Sequence, residues 1–214
     1  MNIALLLTGY TRTYKDCYLG LKNNLIDKFP IDIYYSTWSL QEDLSQTDSD
    51  YLNKLYNPKK FIVINQPSQN LILKKKDKDI FLTNRRAAEH GIYWADRLSR
   101  QWTLIHEGFK LIPNNYDFIV RMRFDLLLHK FDTHSLLENS IYFPSDIGGW
   151  DFTDHMAYGT FDSMKIYSEL VNNIQNLYDN DIDITHAVDM PKTFLTNNKI
   201  FLIENKSIKY SLWK

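Results

Sequence analysis

The segment Tyr116-Asp117-Phe118-Ile119-Val120-Arg121-Met122-Arg123-Phe124-Asp125-Leu126-Leu127-Leu128 is the most informative in the 214-residue chain. Side chains alternate along a strand, so Arg121, Arg123 and Asp125 are expected on one face. Charges on the face of an otherwise apolar strand are costly to bury without partners. Two arrangements would supply them. An Arg–Asp pair can stitch the strand to a helix, or the strand end can open into a cleft at the carboxyl edge of a sheet, where open α/β folds bind ligands. There an Asp oxygen can hold a divalent ion, and guanidinium forks match phosphate oxygens.

Three further places carry candidate chemistry. The stretch Thr8-Gly9-Tyr10-Thr11-Arg12-Thr13 follows an apolar run directly. Gly9 would let a flat base approach the backbone, and Arg12 near a helix start could meet a phosphate. A plain strand-to-helix turn with Arg12 in solvent explains the same residues. Gly148-Gly149-Trp150-Asp151-Phe152-Thr153-Asp154-His155 joins a flexible turn to aromatics flanked by two carboxylates. Aromatic faces beside carboxylates suit sugars, because rings pack on C–H faces and carboxylates accept from hydroxyls; an Asp capping the next element is the alternative. His186, in Thr185-His186-Ala187-Val188-Asp189, is a capping residue or a ligand, and Asp189 suits a helix N-cap. Arg97, on the polar flank of a long helical pattern, could join a phosphate site or face solvent. A literal Asp-x-Asp, Asp77-Lys78-Asp79, sits among lysines and follows no apolar strand, so it is expected on a solvated loop.

The elements that must position these residues follow from periodicity. Ile3–Leu7, Ile31–Trp38 and Phe61–Ile64 are expected as buried strands, with a helix over 13–29 stopped by Pro30 and a short one over 51–56. A long helix is expected over 84–110, from Ala88, Ile92, Ala95, Leu98, Trp102, Ile105 and Phe109. Phe118–Leu128 should form one central strand, Ser140–Pro144 another and Met156–Phe161 an edge strand. A helix over 162–178, a short helix over 189–197 and a strand at Ile200–Ile203 complete the pattern. Residues beyond Ile203 are expected as the frayed start of a linker, as in a domain cut from a longer chain. Alternating strands and helices favour an α/β fold with a mostly parallel central sheet flanked by helices, one domain over residues 1–214.

Composition excludes several classes. With 25 basic and 26 acidic residues and a net charge of −1, a nucleic-acid coat or polybasic membrane binder is disfavoured. One cysteine, Cys17, leaves no internal disulfide or cysteine-built zinc site. The first loop lacks the Gly-x-Gly-x-x-Gly and Gly-Lys-Ser/Thr patterns, which lowers dehydrogenase and P-loop readings. No basic leader or membrane-spanning run is visible, so an intracellular, cytoplasmic protein without a transmembrane segment is expected. Aromatic residues reach 14%, more than packing alone calls for, which suits a lined cleft.

A helix followed by Tyr-Asp-hydrophobic-hydrophobic-Arg-x-Arg-x-Asp resembles the GT-A type nucleotide-sugar glycosyltransferases, and more narrowly those that build chlorovirus capsid glycans. In that family an Asp-x-Asp ends a sheet strand, and its last acid binds manganese bridging two phosphates. Here the triplet is Arg123-Phe124-Asp125, so only the final Asp is kept and Arg123 could neutralise phosphate instead. The resemblance implies a Rossmann-like GT-A sheet, a UDP-sugar donor, a glycan acceptor, rhamnosyl or hexosyl transfer, and Mn²⁺ (or Mg²⁺) on Asp125 with His186 as a further ligand. It also implies nucleotide binding at Thr8, Gly9 and Arg12, with Arg97, Arg121 and Arg123 on the donor and Trp150 and Phe152 on the acceptor. Asp154 or Asp151 would be the general base; Asp154 is preferred because it directly precedes the His155-Met156 strand start. A nucleotidyltransferase and a non-catalytic glycan-binding module are the competing readings.

Overall fold

The structure is a computed structural model that describes residues 2–67, 85–132, 136–145 and 152–212. The lysine-rich stretch with Asp77 and Asp79, expected on a solvated loop, and Trp150 and Asp151, lie outside the described residues.

The chain runs β1 (Ile3–Thr8), α1 (Tyr14–Leu21), β2 (Ile31–Trp38), α2 (Ser49–Tyr56), β3 (Lys60–Ile64), α3 (Arg85–Phe109), β4 (Phe118–Arg123) and β5 (Leu126–Lys130). It continues through β6 (Ser140–Pro144), β7 (Met156–Gly159), α4 (Phe161–Ser168), α5 (Leu170–Asp179), α6 (Asp189–Asn197), β8 (Phe201–Asn205) and β9 (Lys209–Leu212). Seven strands form one sheet in the order β3-β2-β1-β4-β7-β6-β8, while β5 and β9 pair separately. The run β3-β2-β1-β4 is parallel, β7 is antiparallel to both neighbours, and β6 and β8 are parallel. This is a mixed α/β fold with a mostly parallel central sheet, compatible with a Rossmann-like arrangement.

β1 is apolar from Ile3 to Leu7 and wholly buried, as suits a strand covered on both faces. Its alternation divides the core. Ala4 and Leu6 join Trp102, Ile105, Tyr167 and Ile174 on the side of α3, α4 and α5. Ile3, Leu5 and Leu7 join Tyr14, Leu21, Leu52 and Phe124 on the side of α1 and α2. Cys17 is buried in α1 as a free thiol. Among the described residues, no helix is long and apolar enough to cross a membrane.

One contact sets the position of α3. A Cβ placed on Gly108 would lie 2.6 Å from Ser36 Oγ and 2.7 Å from Leu6 Cδ1, so the helix backbone meets β1 and β2 directly. The Ser36 hydroxyl donates to the Leu104 carbonyl and locks the approach. Because α3 crosses back from the end of β3 to the start of β4, its residues before Gln101 lie near the carboxyl edge of the parallel strands.

Several expectations are corrected. The single strand over Phe118–Leu128 is two: the chain turns at Phe124-Asp125, and Leu126–Lys130 leaves the main sheet to pair with β9. Apolar periodicity cannot separate one long strand from two short ones divided by a turn. Asp125 is therefore a turn residue and not a third member of a strand face. β7 is no edge strand, because it sits between β4 and β6. The helix expected over 13–29 ends in a wider π-type turn at Lys22–Ile26, and the helix over 162–178 breaks at Glu169. The residues after Ile203 are no frayed linker: Asn205 and Tyr210 are buried, and Lys209–Leu212 is a paired strand.

Candidate functional site

β1 leads by way of α1 to β2 on one side, and β4 lies on its other side, so the chain direction across the sheet reverses between β1 and β4. Such a switch point leaves a crevice outside the carboxyl ends of the two strands. Thr8 ends β1 opposite Arg123, which ends β4. A cleft of about 320 Å³ opens there, lined by Gly9, Arg12, Arg97, Arg121, Arg123, Asp125 and Asp154. Seven residues singled out in four separate stretches of sequence thus meet around one space.

Arg121 is fully buried beneath the cleft. Its Nε donates to Thr8 Oγ1 at 3.0 Å, and its Nη1 donates to the Asp154 carbonyl. One side chain thereby ties the end of β1 to the turn before β7. Thr8 supports the loop from below, being wholly buried. The third nitrogen, Nη2, has no hydrogen-bond partner among the described residues, nor has the buried hydroxyl of Tyr167. Burial lowers the guanidinium's affinity for its proton, opposed by the nearby Tyr167 and Asp154. Burial likewise pushes the Tyr167 hydroxyl up to about 12.

Arg123 grips Asp125 with two bonds, Nε to Oδ1 at 2.8 Å and Nη2 to Oδ2 at 2.6 Å. Arg12 adds a third, from Nη2 to Oδ2 at 3.1 Å. Burial alone would raise the Asp125 carboxyl, but the bonds and charges of Arg123 and Arg12 outweigh it and hold the group below the usual carboxylate range. The other arm of Arg12 donates to Glu42, whose second oxygen lies 3.4 Å from Arg97 Nη2. Glu42 is placed by its neighbour: the buried Gln41 accepts from the Thr11 amide at 2.6 Å. The result is a chain of alternating charge, Arg97–Glu42–Arg12–Asp125–Arg123, along the wall.

Asp154 lies beside the end of β4, where the Arg123 amide donates to the carbonyl of the next residue, His155. Its Oδ2 accepts from Gln101 Nε2 at 2.7 Å, and its Oδ1 lies 3.6 Å from His155 Nε2. The other nitrogen of that ring, Nδ1, lies 3.0 Å from the Tyr210 hydroxyl. The last strand thus buttresses the site. Gly9 has φ of +111°, a backbone conformation open to glycine, and no atom lies within 4 Å of the place its Cβ would take.

Three expectations fail on placement. Thr8 is wholly buried, does not line the cleft and spends its hydroxyl on Arg121, so it does not meet a nucleotide. Phe152 is wholly buried, with its ring 5.0 Å from Phe143, so it offers no face to a ligand. His186 turns to its own helix start: its Nδ1 lies 2.9 Å from Asp189 Oδ2 and 3.1 Å from the Asp189 amide nitrogen. Asp189 is the first residue of α6 and Val188 its cap. The donor set also does not fit a divalent ion in this arrangement. Both oxygens of Asp125 are engaged by arginines, so a divalent ion there would have to displace at least one guanidinium.

Trp94, Gln101, Glu42 and His155 also line the cleft, and sequence reasoning missed them. Trp94 is partly exposed, with the Arg97 guanidinium carbon 5.1 Å from its ring centre. A Trp and an Arg three apart, off the apolar stripe of a helix, were the available signal. Gln101 and Glu42 carried none.

No protein-family model and no curated protein matches this chain.

Proposed function

We propose that the chain is a GT-A type glycosyltransferase, which moves a sugar from a nucleotide-sugar donor, with UDP-sugars first in line, to a hydroxyl of a glycan acceptor. The observation that carries this reading is one cleft at the switch point lined by two unlike sets of groups. One set is a row of guanidinium groups suited to a diphosphate. The other is a carboxylate, Asp154, fixed by Gln101 and able to accept a proton.

In this reading the nucleotide lies over Gly9, where bare backbone admits a flat ring, with Trp94 as a neighbouring aromatic face. The diphosphate meets Arg12, Arg97 and Arg123. The acceptor hydroxyl approaches the anomeric carbon from the side of Asp154. As the new C–O bond forms, its proton passes to Asp154, and the bond to the phosphate oxygen breaks with its electron pair leaving on the diphosphate. Fixed positive groups aimed at that developing charge lower the barrier. Arg121 touches neither substrate in this scheme. It holds the loop and the base in register.

The test is a thermal-shift screen of UDP-, GDP- and CMP-sugars, followed by an assay for released nucleoside diphosphate. A ligand that binds only the native state raises its melting temperature. A shift by at least one nucleotide sugar is expected, and silence across the whole panel would remove the reading.

A further inference from the structure

We infer that this cleft holds the donor diphosphate on guanidinium groups without a bridging divalent cation, and that Asp125 is a positioning residue for Arg12 and Arg123. The inference rests on the nucleotide-sugar reading above and specifies how that site meets its phosphates.

Three observations carry it. A carboxylate offers roughly four acceptor directions. Three at Asp125 are taken, by Arg123 Nε at 2.8 Å, Arg123 Nη2 at 2.6 Å and Arg12 Nη2 at 3.1 Å. A divalent ion on the same oxygens would sit against two guanidinium charges and displace at least one of them. The second observation is charge. Arg12, Arg97, Arg100, Arg121 and Arg123 line the cleft against Glu42, Asp125 and Asp154, so the cleft is cationic before any ion is added. A diphosphate supplies the missing negative charge. The third is orientation. With Nε and Nη2 of Arg123 held by Asp125, its Nη1 has no partner among the described residues and is left to donate to a ligand. Asp125 orients the fork, and Arg123 presents what remains of it.

When transfer occurs, the bond from the anomeric carbon to the phosphate oxygen breaks and its electron pair stays on the diphosphate. That charge is met by the fixed N–H donors of Arg12, Arg97 and Arg123, and the acceptor's proton goes to Asp154. Glu42, which spans Arg12 and Arg97 in the free protein, is the group a phosphate would displace.

The experiment is calorimetric titration of the intact chain with UDP, GDP and CDP, in EDTA and again in excess MnCl₂. At least one nucleotide should bind in EDTA, with its affinity in Mn²⁺ within about threefold. Asp125→Asn should weaken that binding about tenfold in both buffers, because the arginines lose their anchor. Arg97→Gln, on an exposed flank of α3 where folding is not at stake, should weaken it in EDTA as well. Binding that appears only with Mn²⁺, and that Asp125→Asn abolishes, overturns the inference and leaves the nucleotide reading standing. No binding of any nucleotide in either buffer overturns both.

Discussion

The side-chain amide of Gln101 donates to Oδ2 of Asp154 across 2.7 Å, joining α3 to the turn that opens β7. The bond fixes the carboxylate, whose other oxygen lies 3.6 Å from His155 Nε2. If Asp154 takes the acceptor proton, Asp154→Asn should lower the transfer rate about 10²–10⁴-fold, the usual worth of a positioned base. Nucleotide affinity should change far less than the rate, since the Asp154 carboxylate is bonded to Gln101 and not to the arginines proposed to meet the phosphates. Steady-state rates together with calorimetry check both halves, and a variant that retains full activity would remove Asp154 from the mechanism.

Arg121 joins Thr8 and the Asp154 carbonyl from within the core. Arg121→Met keeps much of the volume but leaves the buried carbonyl without its donor. A loss of about 1–3 kcal/mol in urea unfolding is expected, the cost of an unpaired buried polar group. Relief of a buried charge opposes this loss, so a variant of unchanged stability would mean that burial of the guanidinium costs as much as its bonds return.

Asp125 makes stability depend on pH at the acid end. Its folded-state carboxyl is held below the ordinary value, so its contribution is complete above the unfolded value of about 3.9 and is lost as pH falls through the folded one. Melting temperature followed from neutral pH down to pH ~3 should therefore fall more steeply for the native chain than for Asp125→Asn. Parallel curves would show that the arginine grip adds nothing.

Gly108 has no room for a side chain, with Ser36 Oγ and Leu6 Cδ1 closer than 3 Å to where a Cβ would stand. Elsewhere in a helix Gly→Ala favours the helix; here overpacking should dominate and destabilise the fold by about 1–3 kcal/mol. Chemical denaturation decides the sign. Since α3 carries Arg97 and Gln101, a displaced helix should also weaken nucleotide binding.

Tyr210 reaches the site from the last strand, with its hydroxyl 3.0 Å from His155 Nδ1 and 3.3 Å from Thr153 Oγ1. Tyr210→Phe keeps the ring and removes both bonds. A stability change of about 1 kcal/mol is expected, with a fall in transfer rate if His155 steadies Asp154. An unchanged rate would confine Tyr210 to packing.

Local pattern was enough for most elements, because burial imposes a period. Ile31–Trp38 and Ser140–Pro144 were legible to the residue, since a strand covered on both faces is rich in apolar and aromatic residues. The charges at Arg121, Arg123 and Asp125 were legible as a site for the converse reason: apolar surroundings make a charge conspicuous. The division of Phe118–Leu128 at Phe124-Asp125 was not legible, because both halves are equally apolar and only β9, about eighty residues away, shows where the second half belongs. The partners were equally hidden. That Asp125 would be taken up by Arg12 and Arg123, that Phe152 would enter the core, and that Gln101 would hold Asp154 depend on which strand ends meet at the switch point between β1 and β4. The amino-acid sequence determined which groups could do chemistry and which runs must be buried, since both follow from side-chain type and local period. Only the tertiary structure decided which of those groups face each other, because that is a matter of long-range pairing and no local pattern records it.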